Sequence, residues 1–504
     1  MSGESSVPLI KRYVIQVNPG RPRLGIDLTL CPKSVLPDAR NQKIEFTARI
    51  YAFKDGKWVY PGEKGKITFS FKEVSKERGV CMNYPIKDKN NITPAPAIAS
   101  NTNPDLFFPE DDDKMKDFDF DEDETDGDAD KKCPTEILVA NDNPAHSHHY
   151  KKATTKKAVT EAKVVVRCED YGAFGILKAE AEDCEALKPR ERDALCNQEL
   201  GDNDVKIPRD ENDNNIADSA KSWDNISLDK NKDGSNAPAD DDEDISTGNN
   251  NKGDGLTNYE EYRGFIVKVG ANKRHRRTNI NKKDVFIYDK DNLNTGNFNT
   301  SGLIIHFLQG PEYYNGNSKV KGNGDHVPDP SDSQCININR TSHTGGDQHC
   351  LRIVDEVMGP RDQGYTYGKA DVPLLPKEVH YVAVHRAIHS TAADLSCTVA
   401  HELGHAVYVQ HHGDDGDCGD CNGDQSGSLT SGNVTCLMRY NNYGPGWCHK
   451  VGGACHNHAR SNPDPPGNTF CTSANGTGCN VIASHFRNDA SRGNCKDQIK
   501  VKDW

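Results

Sequence analysis

The chain has 504 residues, more than a single hydrophobic core accommodates, so two to four domains are expected. With 62 basic against 76 acidic side chains the net charge is −14, which argues against a nucleic-acid partner, since that needs a basic face, and suits a protein that holds divalent cations. No apolar run is long enough to span a bilayer, and Met1–Gly20 has neither an apolar stretch nor a small-residue cleavage site, so no transmembrane segment and no signal peptide are expected in this chain.

Residues 10–185 read as β-sandwich material. Tyr13–Val17, Lys43–Ala52 and Gly65–Phe71 alternate apolar and polar residues with turn formers between them. Glu161–Ala173 ends in a pattern similar to bacterial immunoglobulin-like domains, which implies that fold for the region. An interruption at about 104–157 is dominated by Asp and Glu between Glu110 and Asp130, followed by His146, His148 and His149. Such a segment buries too little apolar surface to fold alone, so it is expected to be a disordered acidic insertion.

Residues 200–265 repeat one spacing of oxygen donors. Asp229, Asn231 and Asp233 alternate before Gly234, with Asp240 at the twelfth position of the loop. Asp210, Asn212, Asn214 and Asp218 repeat the spacing, and a third copy runs from Asn250 through Asp254-Gly255 to Glu261. Alternate side-chain oxygens ahead of a glycine turn are the opening of a calcium loop. Together these loops resemble thrombospondin type 3 and related bacterial repeats. The resemblance implies bound Ca2+ and a stiffened connector. The basic run Lys273–Arg277 that follows reads as a solvated surface turn.

Residues 280–504 are expected to form an α+β catalytic domain. Asp284–Asp289, Gly302–Leu308 and Val379–His385 read as strands. Thr391 and Asp394 then mark a helix start, and Leu395, Val399, Leu403 and Val407 recur every fourth residue as its apolar stripe. His401 and His405 share another face one turn apart, a spacing that lets two imidazoles meet one zinc ion. Glu402, beside the first of them, is placed to take a proton from attacking water.

His411 and Cys436-Leu437-Met438-Arg439-Tyr440 extend this pattern. The segment from about 395 to 440 resembles the metzincin zinc endopeptidases, whose signature is His-Glu-x-x-His-x-x-Gly-x-x-His with a later Met-containing turn. The resemblance implies Zn2+ on His401, His405 and His411, Glu402 as general base, Met438 in the turn under the metal, and Tyr440 near the reacting carbonyl. The family's glycine is Tyr408 here. An unbroken helix would rotate about 600° and rise about 9 Å between His405 and His411, so the chain must bend. Either Tyr408 takes the left-handed conformation or the helix unwinds differently before Gly413, and His412, Asp414 and Asp415 stay open as alternative ligands.

The chain contains 17 cysteines, eight of them from Cys418 to Cys495 in Gly/Asn/Ser-rich sequence with little core. Disulfides and a secreted or cell-surface location are therefore expected, with Cys418 and Cys421 read as disulfide partners in a loop rather than as zinc ligands. The functional expectation is a secreted zinc endopeptidase acting on protein or peptide. A calcium-stiffened adhesin with a degenerate peptidase domain is the alternative, and self-processing is a third reading.

Overall fold

The structure, a computed structural model, describes residues 24–30, 43–77, 79–84, 104–109, 112–120, 149–168, 170–181, 184–186, 204–208, 210, 213–229, 253–309, 334–337, 339, 348–358, 364–368, 374–409, 436–438, 448–451, 454–457, 469–470 and 495–502. The first twelve strands are β1 (Leu24–Leu30), β2 (Lys43–Lys54), β3 (Lys57–Val59), β4 (Ile67–Lys72), β5 (Leu106–Pro109), β6 (Phe118–Phe120), β7 (His149–Tyr150), β8 (Lys152–Thr155), β9 (Glu161–Cys168), β10 (Gly175–Ala181), β11 (Cys184–Ala186) and β12 (Asp204–Ile207). They make two sheets, ordered β11-β1-β2-β9-β5-β7, with β3 paired to β2, and β12-β10-β4-β8-β6.

One core lies between these sheets because alternate residues of each strand point inward. From β2 come Ile44, Phe46, Ala48 and Ile50, and from β9 Val164 and Val166. Ile67 and Phe69 of β4 and Leu177 of β10 meet them from the other sheet. Phe71 and Phe108 stack with centroids 4.5 Å apart. The expected strand Tyr13–Val17 lies outside the described residues.

The acidic interruption is narrower than expected. Leu106, Phe107 and Phe108 are buried in β5, Met115 and Phe118 enter the core, and β8 pairs with β4. Three consecutive large apolar residues outweigh the acidic composition around them. Asp112, at the front of the run, accepts the Lys114 N–H at 2.9 Å and pairs with Lys43 at 2.8 Å. Residues 121–148, with most of the acidic run, His146 and His148, lie outside the described residues, as does the side chain of His149.

A short helix, Asn258–Arg263, follows. Thr257 Oγ1 accepts the Glu260 N–H, and the Glu260 carboxylate accepts the Thr257 N–H in return, closing a capping box. β13 (Phe265–Val269) and β14 (Asn272–Arg276) form a hairpin. The basic run expected to be a turn is thus mostly a strand, with Lys273 and Arg274 exposed on it. Consecutive strand residues point to opposite faces, so both faces of this two-stranded hairpin are open to water there.

The remaining strands are β15 (Asp284–Asp289), β16 (Ile304–Phe307), β17 (Cys350–Asp355), β18 (Gly364–Gly368) and β19 (Val379–Val384). Their order is β16-β15-β17-β19-β18; the first four run parallel, and β18 pairs antiparallel with β19 at the edge. Val285, Phe286 and Ile287 are all fully buried, as a parallel strand covered on both faces requires. A 15-residue helix, Ala392–Ala406, packs Val399, Ala400, Leu403 and Ala406 into the same core as this sheet. Among the described residues no helix is long and apolar enough to cross a membrane.

Candidate active site

The helix Ala392–Ala406 begins where Thr391 Oγ1 accepts the Asp394 N–H at 3.1 Å. It stops in a Schellman turn. The Val409 N–H reaches the Gly404 carbonyl at 2.9 Å and the Tyr408 N–H reaches the His405 carbonyl at 3.3 Å. Tyr408 occupies the left-handed position of that turn, with φ 74°. The bend that the sequence demands therefore falls on Tyr408 itself, at a cost of about 1–2 kcal/mol relative to a right-handed residue. Lys500 Nζ lies 4.0 Å from the Tyr408 ring centroid and offsets part of that cost through a cation–π contact.

The turn also holds a ligand candidate. His405 Nδ1 bonds the Val409 carbonyl at 2.9 Å, and His401 Nδ1 bonds the Leu437 carbonyl at 2.7 Å. A carbonyl only accepts, so each Nδ1 carries the proton and each Nε2 carries the lone pair that a metal uses. The two rings are 4.9 Å apart between centroids and nearly perpendicular, at 88°. Both are buried, and burial followed by repulsion from His401 pushes the His405 pKa down to about 3, which favours the neutral, metal-binding form.

Glu402 is 7 % exposed, and burial pushes its pKa up to about 7, tempered by a hydrogen bond with Thr366. Thr366 Oγ1 lies 2.8 Å from the Glu402 main-chain carbonyl and 2.9 Å from Glu402 Oε2. A hydroxyl has one proton and two lone pairs. It can donate to the carboxylate, or turn to the carbonyl and accept from the carboxylic acid, so it serves both protonation states. Thr366 lies on β18, and so does Gly364. A Cβ at Gly364 would come within 2.7 Å of Glu402 Cγ, so only glycine lets the edge strand approach this closely.

Met438 lies beneath the helix. A Cβ on Gly404 would fall 2.7 Å from Met438 Sδ and 2.9 Å from Phe470, so the glycine of His-Glu-Leu-Gly-His admits the methionine. The structure thus brings together His401, Glu402, His405 and Met438. His411, Tyr440, His412, Asp414 and Asp415 lie outside the described residues. Among the described residues no group of three or more His, Cys, Asp or Glu converges as a metal cage. The two described imidazoles, each oriented by a carbonyl, fit two positions of a zinc site.

Of the residues expected to bind calcium, Asp210, Asn214, Asp218, Asp229, Asp254 and Glu261 are described, and Asn212, Asn231, Asp233, Asp240 and Asn250 are not. Asp210 is buried and accepts the N–H groups of Asn214 and Asn215. Asn214 Nδ2 reaches Asp229 Oδ1 at 3.4 Å, so two of the sequence repeats meet. Asp254 is buried and accepts the N–H groups of Leu256 and Asp284, and Glu261 is buried in the helix Asn258–Arg263.

Sequence reasoning missed Thr366, Gly364 and the carbonyls of Leu437 and Val409. For the first two, the Gly-Tyr-Thr-Tyr-Gly alternation of residues 364–368 was the available signal. Compared with known proteins, the chain matches no family model, no curated protein and no solved structure.

Proposed function

We propose that this protein is a zinc-dependent endopeptidase. The observation that carries the reading is the pair of buried imidazoles on adjacent helical turns, each held at Nδ1 by a backbone carbonyl, with the Glu402 carboxylate between them in sequence. Zinc held by His401 and His405, with His411 as the third ligand, would supply Lewis acidity to a water molecule and to a substrate carbonyl. Glu402 takes the proton from the attacking water and passes it to the leaving amine. A pKa near 7 suits a group that must do both. Thr366 keeps the carboxyl group in place through both states. Tyr440 is assigned to the oxyanion on the strength of its offset from Met438.

The substrate class follows from β18. It ends the sheet, and among the described residues no strand pairs with its outer edge. An extended peptide adding there would run past Glu402, whose side chain abuts Gly364. In this reading the two N-terminal sheets are an immunoglobulin-like sandwich that positions the enzyme, and Ca2+ stiffens the loops around Asp210, Asn214 and Asp229. Secretion accords with the cysteine content.

The test is zinc per chain and peptide hydrolysis for the wild type, Glu402→Gln and His411→Ala. Expected are about one zinc for the wild type and Glu402→Gln, far less for His411→Ala, and a loss of hydrolysis of about 10²–10⁴-fold for Glu402→Gln. A wild type without zinc would sink the reading. Zinc held normally without hydrolysis of any peptide library would favour the adhesin with a degenerate site.

A further inference from the structure

Residues 495–502 pack against the foot of the active-site helix. Cys495 opens a short helix, Cys495–Gln498, and Cys495, Ile499 and Val501 are buried in the core shared with the zinc helix. The segment touches the active-site helix where it stops. The Lys500 N–H donates to the Val407 carbonyl at 2.9 Å, and the Lys500 ammonium covers the Tyr408 ring. It also touches the segment under the helix, because Cys495 Sγ lies 3.3 Å from Cys436 Sγ and both residues are fully buried. Cys436 immediately precedes Leu437, whose carbonyl orients His401, and lies two residues before Met438.

We propose that Cys436 and Cys495 form a disulfide that clamps the chain's C-terminal segment to the turn beneath the active-site helix. The oxidant is a low-molecular-weight disulfide. One cysteine thiolate attacks it and releases one thiol, and the second cysteine then attacks the mixed disulfide and releases the other. One sulfur–sulfur bond forms in the protein, one breaks in the reagent, and the two cysteine protons leave on the two thiols. The bond closes a loop between positions 59 apart in sequence, long enough to restrict the unfolded chain substantially. It also joins the supports of both imidazoles. The Leu437 carbonyl adjoins one cysteine, and the Val407–Val409 turn, which supplies the carbonyl for His405, is pinned by the segment that carries the other. Burial shields both sulfurs, so exchange takes place during folding, and the finished bond resists reductant until the protein opens.

The full chain, refolded in reduced and oxidised glutathione, is denatured with an alkylating agent and digested with trypsin and a second protease that separates Cys436 from Cys397, Cys418 and Cys421. Expected is a peptide pair linking Cys436 to Cys495, lighter by two hydrogens than the separate thiols. Recovery of either residue alkylated, or of either linked to another cysteine, would overturn the proposal. As a second measurement, Cys436→Ala, Cys495→Ala and the double variant are unfolded thermally without reductant. A disulfide predicts that all three melt lower than the wild type by the same amount, on the order of 5–10 °C. Sulfurs that only pack predict smaller losses that add in the double variant. Neither readout uses zinc or hydrolysis, so failure of the peptidase reading leaves this test intact.

Discussion

Arg263 and Glu402 are both ionisable side chains withdrawn from water, at 1 % and 7 % exposure, but their surroundings differ. Arg263 Nε donates to both oxygens of the buried Asp170, at 3.0 and 2.8 Å, and Nη1 donates to the Asn339 carbonyl at 3.0 Å. Nη2 donates to Asp170 as well, and Met82 Sδ and Glu77 lie 3.6 and 3.8 Å from Nη1. The result is a closed knot joining the sandwich, the short helix and the segment at Asn339. Around Glu402, the one described hydrogen-bonding side chain is Thr366, and burial raises its pKa to about 7. Where polar groups are fully matched, they fix geometry and do little chemistry. Where a carboxylate is buried with a single partner, it stays ready to exchange a proton.

The contrast is sharpest if the knot is cut. Arg263→Met leaves Asp170 buried and uncompensated, so unfolding in urea is expected to lose about 3–5 kcal/mol, and Arg263→Met with Asp170→Leu is expected to recover much of it. A single variant as stable as the wild type would break the comparison. Gly404→Ala probes the surroundings of Glu402 by driving a methyl group into Met438, with an expected loss of about 1–3 kcal/mol in the same assay. Truncating Met438 to Ala in that background removes the contact with the sulfur and leaves the one with Phe470, so the double variant is expected to lose less than the two single losses added together.

His275 tests the knot by pH. Its ring stacks on Tyr171 and bonds the Arg263 carbonyl at 2.7 Å, and burial, then the charge of Arg277, holds its pKa well below the ordinary 6.5. A histidine kept neutral by the fold contributes stability that is fully present above pH 6.5 and is lost as pH falls below it. For this half-buried ring the slope is expected to stay under about 1.4 kcal/mol per pH unit. Urea midpoints from pH 8 to pH 5 should fall more steeply for the wild type than for His275→Gln, and parallel curves would remove the residue from the network. The smallest effect is expected from Tyr408→Gly. Relief of the left-handed strain is set against a more flexible unfolded chain and the lost Lys500 contact, for a net change within about 1 kcal/mol in either direction.

These two centres were not equally readable in advance. The histidines and Glu402 could be read because helical spacing is a property of the chain itself, and the need for a bend before His411 followed from the same geometry. That Tyr408 would carry the bend was one of two options, and the Lys500 ammonium that covers its ring comes from a distant stretch of the chain that no local pattern encodes. The carbonyls of Leu437 and Val409 could not be foreseen, since every residue has one. Arg263 and Asp170 lie 93 positions apart, and neither residue type signals a buried pair. The acidic interruption misled because composition was averaged over a segment in which Leu106-Phe107-Phe108 already announced a strand.

The Schellman turn at Val407–Val409 has one more consequence, for anyone who would build with this motif. The carbonyl that orients His405 belongs to Val409, whose own N–H closes the turn that stops the helix, so the aim of the imidazole and the stop signal depend on one residue. Five residues copied into another scaffold would carry the imidazoles but not the means of aiming them. The smallest portable unit runs from His401 through Val409, and it needs a second segment that offers a carbonyl where Leu437 does.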